Sequence, residues 1–282
     1  MSTDLEANTI AKLSKLLAKP LKPPVKLTAI LRLLAKYRSE WLSEVVTREL
    51  GVTVQQGPFA GMQLLGVSAE GCYLPKFLGC YEMELHPYLL RLPQKNYEFI
   101  IDIGCAEGYY AIGLARLLPA ATVHARDSDP RARSRCRKMA EINQVSERVQ
   151  IAGEFQGEDF AKFAGQRTLV FCDIEGAETA LLDPARYPGL AGVDIIVEMH
   201  DSPALSVSDL LVSRFQDTHD IEIIRHGPRD VPLPALFSNA SDMDRFLAVW
   251  EWRGSPTPWA VMTVKNAGPR PPCRSTGQAS PG

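Results

Sequence analysis

The sequence has no run of about 18 apolar residues, the length a helix needs to cross a bilayer. Its opening stretch, MSTDLEANTIAKLSKLL, is polar and acidic before it turns apolar, so it lacks the basic segment and apolar run of a secretory signal. The six cysteines, Cys72, Cys80, Cys105, Cys136, Cys172 and Cys273, include no CxxC pair, which argues against both a structural zinc site and a disulfide framework. A reducing, cytoplasmic setting is expected. Excess charge is missing too: 31 Lys and Arg against 33 Asp and Glu leave -2, which excludes polyanion binding by bulk electrostatics. HExxH and the P-loop pattern are absent, and GVSAEG falls short of the GxSxG nucleophile elbow because Glu70 stands where glycine is required. Hydrolase and nucleoside triphosphatase chemistry therefore find no support, and no internal repeat is visible.

What is present is a globular composition, with 45% hydrophobic, 23% charged and 8% aromatic residues in 282. That length suits one large α/β domain with appendages or two small domains. Leu5, Ile10, Leu13, Leu16 and Leu17 have helical spacing until Pro20, Pro23 and Pro24 stop the pattern. A second helix is predicted from about Leu27 to Leu50, with Gly51 as its stop. Residues 1–50 thus form a helical arm, a cap or a homodimer interface. Residues 1–38 carry eight basic side chains and two acids, a local +6 that leaves about -8 for the rest. A solvated lysine face explains this most simply, and an acidic partner, nucleic acid or membrane surface is the alternative.

Residues 51–95 are predicted to be a connector, with a hairpin over 52–67 and a helix over 78–92 interrupted at Pro87. Over 96–265 strands and helices alternate, with strands at Tyr97–Ile103, Thr122–Ala125, Arg148–Ala152, Thr168–Cys172, Val193–Met199, Ile221–Arg225 and Trp259–Val264. This spacing predicts an α/β fold with a doubly wound, mostly parallel seven-stranded sheet. Residues 266–282 are rich in Gly, Pro and Ser and are expected to be a disordered tail.

The chemistry concentrates in FIIDIGCAEGYYAIGLA. A buried strand ends at Asp102, a turn follows with Gly104, Ala106 and Gly108, and a helix begins near Tyr109, at the sheet edge where open α/β folds bind ligands. A GxGxxG dinucleotide fingerprint would need glycine at 106 and 109, so an NAD reading is weakened. The spacing Asp-x-Gly-x-Ala-x-Gly instead resembles the first motif of class I S-adenosylmethionine (SAM)-dependent methyltransferases. Asp127, at the end of the second strand, stands where a carboxylate accepts ribose hydroxyls. Asp129 is the near alternative, although an Asp before Pro130 is better explained as an N-cap. Glu154 and Phe155 follow the third strand, and a plain surface loop is their alternative. The string CDIEGAE resembles the FkbM-like branch of these enzymes, as does the upstream GCYLPKFLGCYEMEL.

The resemblance covers about residues 57–265 and implies a Rossmann-like methyltransferase fold binding SAM. It implies that Asp102, Gly104, Cys105, Ala106 and Gly108 surround the amino acid part of SAM, with Asp127 on the ribose and Glu154 and Phe155 near the adenine. Asp173 is implied beside the transferred methyl, and Glu82 reaching the cofactor from the connector. Ala106 stands where the family most often has glycine, a replacement the backbone tolerates at negative φ. The family implies O-methylation of a small-molecule hydroxyl, on a sugar or secondary metabolite. His200, in EMHD after the fifth strand, is the candidate general base for that hydroxyl, with a structural histidine as the alternative. Asp173, Glu198 and Asp201 would suit a magnesium ion, but a metal-free site is the expectation. A SAM-binding assembly protein without turnover and an RNA or protein methyltransferase guided by the basic arm are the other functions considered. The five basic residues in PRARSRCRK wind around their helix, so nucleic acid is not expected as the partner.

Overall fold

The computed structural model describes residues 3–66, 72–255 and 257–265. Residues 67–71 of GVSAEG and the expected tail lie outside them. The chain opens with helices α1 (Thr3–Ala18) and α2 (Pro23–Leu50). Pro23 and Pro24 begin α2 four residues earlier than predicted, because a fixed φ and a missing N–H suit the first positions of a helix. Gly51, at φ 78, ends it and donates its N–H to the Thr47 carbonyl at 3.0 Å.

The predicted hairpin over 52–67 is reduced to one bridge, Thr53 with Gln63. The predicted helix over 78–92 is likewise broken, with α3 (Tyr73–Leu78) ahead of it and only α4 (His86–Leu89) and short 3-10 turns inside it. The break has a packing cause. Gly79 has φ +70, and a Cβ there would lie 1.9 Å from the Gln56 carbonyl oxygen. The two halves of the segment therefore cross in backbone contact, which a continuous helix would forbid.

The remaining elements are β1 (Phe99–Ile103), α5 (Tyr109–Leu117), β2 (Thr122–Arg126), α6 (Pro130–Ile142), β3 (Val149–Ala152), β4 (Thr168–Cys172), α7 (Glu178–Leu181), β5 (Asp194–Glu198), α8 (Val207–Phe215), β6 (His219–Ile224), α9 (Asp242–Ala248) and β7 (Trp259–Val264). The seven strands form one sheet in the order β3-β2-β1-β4-β5-β7-β6. β1 to β5 are parallel, while β7 is antiparallel to both β5 and β6. This is the doubly wound, mostly parallel seven-stranded sheet that the alternation of strands and helices predicts.

Strand alternation sorts the core onto two faces of the sheet. Ile100, Phe171 and Trp259 join one buried cluster, Ile101, Val170 and Met262 the other. The first cluster runs without a break into residues 51–95 through Phe59, Met62, Leu74 and Phe77, and on to Leu42 and Val46 of α2. The connector is thus one wall of the main core. Nearer its start the arm stands out from the body, with Leu27 66% and Leu31 70% exposed.

One contact between α2 and α9 is ionic and two-pronged. Arg38 Nε and Nη2 donate to the two carboxylate oxygens of Asp244 at 2.7 and 2.8 Å, while the guanidinium lies 4.1 Å from the centre of the Trp41 ring. Bidentate pairs of this kind are stronger than neutral hydrogen bonds. Replacing Asp244 with Ala is expected to lower stability by about 1–3 kcal/mol and to speed hydrogen exchange in α2 while β1 to β5 stay protected. Exchange measured by mass spectrometry on both proteins checks this.

Candidate cofactor and active site

The turn after β1 is built by backbone packing. Gly104 has φ +86, and a Cβ there would lie 1.8 Å from the Asp173 carbonyl oxygen, so only glycine lets the β1 and β4 turns meet. Gly108 has φ +96 and sits against Cys136, where a Cβ would approach Sγ to 2.8 Å. Ala106 also has positive φ, 47°, so the negative φ at which alanine would replace glycine without strain is not the one adopted. Its left-handed backbone is held by Asp127, whose Oδ2 accepts the Ala106 N–H at 2.9 Å. Asp127 Oδ1 accepts the Asp129 N–H at 2.8 Å. Each oxygen therefore keeps a lone pair for a further donor, such as one of two vicinal hydroxyls. Asp129 caps α6 by accepting the Arg131 N–H at 2.8 Å, as its sequence context predicts.

A cavity of about 520 Å³ lies at the carboxyl ends of β1 to β4. Of the residues singled out in the sequence, Gly104, Ala106, Asp127, Glu154, Phe155 and Asp173 line it together. Phe155 is buried against Phe160, with ring centres 4.8 Å apart, and Tyr187 supplies a second aromatic wall. Asp102 and Cys105 line a much smaller cleft beside it, also bordered by Gly104, Ala106 and Asp173. Another cavity of about 520 Å³ lies at the amino ends of β4 and β5, away from the strand ends where such folds bind ligands.

Asp102 is buried, and its Oδ2 has no hydrogen-bond partner among the described residues. Burial raises its carboxyl from 3.8 to about 7. Glu82 lines neither cavity. Its carboxylate pairs with Arg253 Nη2 at 2.7 Å and accepts from the Tyr110 hydroxyl, and burial, with Glu198 nearby, raises its carboxyl to about 8.

The second cluster stands beyond β4 and β5. These strands are parallel with Cys172 opposite Val197, which brings Asp173 level with Glu198. His200 follows two residues on. Its Nδ1 meets Glu178 Oε1 at 2.7 Å, while Nε2 lies 3.4 Å from Glu198 Oε2 and 3.9 Å from Asp173 Oδ1. Glu178 and then Glu198 raise the His200 pKa, so an imidazole held only by these groups carries its proton at neutral pH, unlike the free base the sequence suggests. Burial alone would raise the Glu198 carboxyl, but His200 and Arg253 outweigh it and hold it low. Asp201 turns elsewhere, accepting the Ser208 N–H at 2.9 Å and its hydroxyl at 2.7 Å.

Sequence reasoning assigns no role to Glu178 or Arg253. Glu178 was visible as the last residue of the DIEGAE string. Arg253 lies in an irregular segment before β7 and carries no motif; it bonds Glu198 and Glu82 at once.

Residues 85–177, about a third of the chain, match the family model described as ribosomal protein L11 methyltransferase (PrmA). No curated protein matches the chain. Solved structures similar to it include the O-methyltransferase TomG from Streptomyces achromogenes in complex with SAM, at 14% identity and TM-score 0.43, covering 64% of this chain and 80% of that one. An O-methyltransferase from Bacillus cereus in complex with SAH shows 14% identity and TM-score 0.39, covering 80% and 90%. The human methyltransferase 10 domain containing protein shows 10% identity and TM-score 0.45, covering 81% and 95%. All three likenesses are distant, and none assigns a role to a residue of this chain.

Two stability measurements check the site's backbone and its buried acid. Ala106→Gly should raise stability by about 0.5–1 kcal/mol, the left-handed strain less the added freedom of the unfolded glycine. Asp102 is protonated in the folded state up to about pH 7 but ionises near 3.8 when unfolded, so its contribution is full below 3.8 and is lost as pH rises toward 7. Asp102→Asn should therefore flatten the fall in stability across that window, as read by urea melts at several pH values.

Proposed function

We propose that the chain is a SAM-dependent methyltransferase acting on a hydroxyl oxygen of a small molecule. The observation that carries this reading is Asp127: a carboxylate at the end of β2, fixed by two backbone N–H groups, with a free lone pair on each oxygen facing a cavity of nucleoside size. The glycine turn after β1 and the aromatic walls Phe155 and Tyr187 support a nucleoside in that cavity. The match over residues 85–177 supports it independently, because that stretch contains both turns and Asp127.

In this reading Asp127 holds the ribose, Glu154 and Phe155 flank the adenine, and the sulfonium methyl lies toward Asp173. SAM supplies the methyl group, and the chain's own residues align the acceptor with it and handle the proton. Bound SAM would supply an electrophilic sulfonium methyl, the O–CH3 bond forming as the S–CH3 bond broke to leave a neutral thioether, and the hydroxyl proton would pass to solvent water. Asp173 and His200 are the polar groups at the acceptor end.

Calorimetric titration with SAM and with its demethylated product tests the reading. Micromolar binding is expected in the full chain, weakened about 10- to 100-fold in Asp127→Ala, the loss of charged hydrogen bonds worth about 1.5–3 kcal/mol. No binding of either compound would overturn it.

A further inference from the structure

Three atoms able to ligate a metal converge beyond the ends of β4 and β5: Asp173 Oδ1, Glu198 Oε2 and, once deprotonated, His200 Nε2, all within 4.8 Å of one another. Glu178 fixes which imidazole nitrogen takes part. It is fully buried, accepts the Gly176 N–H at 3.0 Å, and as a carboxylate accepts from Nδ1, so that Nε2 is the atom turned toward the other two oxygens. Glu198 is fixed in the same sense. Its Oε1 accepts from Thr257 at 2.6 Å and from Arg253, which leaves Oε2 for the cluster.

Two carboxylate oxygens and a ring nitrogen face one point. A shared proton would draw one pair to the length of a charge-assisted hydrogen bond, about 2.7–2.9 Å. The separations from Nε2 are instead 3.4 and 3.9 Å. Adjacent ligands at right angles around a cation with bonds of about 2.1–2.4 Å stand about 3.0–3.4 Å apart; the His200–Glu198 pair already has that spacing, the His200–Asp173 pair needs a shift of about half an ångström, and the Asp173 and Glu198 oxygens lie within 4.8 Å of each other.

We propose that Asp173, Glu198 and His200 bind one divalent transition cation, with Glu178 orienting the histidine from behind. One nitrogen and two carboxylate oxygens suit Mn2+ or Zn2+ better than magnesium, which favours an all-oxygen shell. Asp173 also lines the 520 Å³ cavity, so the ion stands at its wall with positions open to water or to an acceptor oxygen. Resting on the methyltransferase reading, this deepens it: the acceptor is a group able to ligate a metal through oxygen, and the ion lowers that hydroxyl's pKa. His200 is then a ligand and not a base, and it replaces Asp201 in the set the sequence suggested.

The test uses the full chain, stripped with chelator and titrated with Mn2+ while free Mn2+ is followed by electron paramagnetic resonance, and then with Zn2+ in competition. One ion per chain is expected. Binding should weaken about tenfold or more in His200→Ala and Asp173→Asn and about tenfold in Glu178→Gln, and should be unchanged in Asp201→Asn. Circular dichroism establishes that each variant is folded. Absence of saturable binding of either ion to the wild-type chain would overturn the proposal, as would equal binding in folded His200→Ala and Asp173→Asn. The titration needs no SAM, so the two readings fail separately: ion binding without SAM binding removes the methyltransferase reading alone, and SAM binding without ion binding removes the metal site alone.

Discussion

The Asp173 carbonyl oxygen lies 1.8 Å from where a Cβ on Gly104 would be, and the rest of the cavity depends on that contact. It lets the turn after β1 close against the turn after β4. The Gly104 and Cys105 N–H groups then bond the Arg126 carbonyl at 2.8 and 3.0 Å, tying the same turn to the end of β2. Ala106 is forced into a left-handed conformation, and Asp127 bonds its N–H there. The carboxylate that best marks the site is therefore also part of what holds the turn in shape. Local strain at Ala106 is offset by a hydrogen bond from the neighbouring strand end, a common arrangement where a backbone must approach a ligand closely.

A second constraint is electrostatic. Glu82, Glu198 and Glu251 are buried close together beside the half-buried Glu84, and Arg229 and Arg253 are guanidiniums that pair with them. Four carboxylates against two guanidiniums leave surplus negative charge, and the raised Glu82 carboxyl is the expected relief: one acid keeps its proton. The network joins the segment after α3 to β5 and to the coil before β7. It fixes Glu198 in the orientation that turns Oε2 toward His200.

The sheet was legible because its strands announce themselves. Thr168–Cys172 and Trp259–Val264 are short apolar runs bounded by polar or turn-forming residues, and both strands have those limits. The cavity was legible too, since its residues follow strand ends at fixed points in a repeating pattern. Residues 51–95 were not. Their course is decided by the backbone contact of Gly79 with Gln56, and a glycine in sequence does not say what it will touch. The surroundings of His200 and Glu82 were hidden for a related reason. Glu178 lies 22 residues from His200, and Arg253 lies 171 from Glu82, so both environments come from chain folding that no local spacing records. The left-handed Ala106 contradicts ordinary propensity, as expected where a turn serves a binding site.

The coil that carries Arg253 and Thr257 immediately precedes β7, and β7 slots between β5 and β6. During synthesis β1 to β6 emerge first, and an N-terminal-first order of folding would assemble most of the sheet with a gap beside β5. Until the last strand fills that gap, Glu82 and Glu198 lack the guanidinium that bonds them both, and β5 presents an open edge. The 520 Å³ cavity at the ends of β1 to β4 belongs to the early-made part of the chain, while the surroundings of Glu198 are completed by the late-made part. Maturation is thus ordered by topology: the cavity can form before Glu82 and Glu198 have their shared arginine in place.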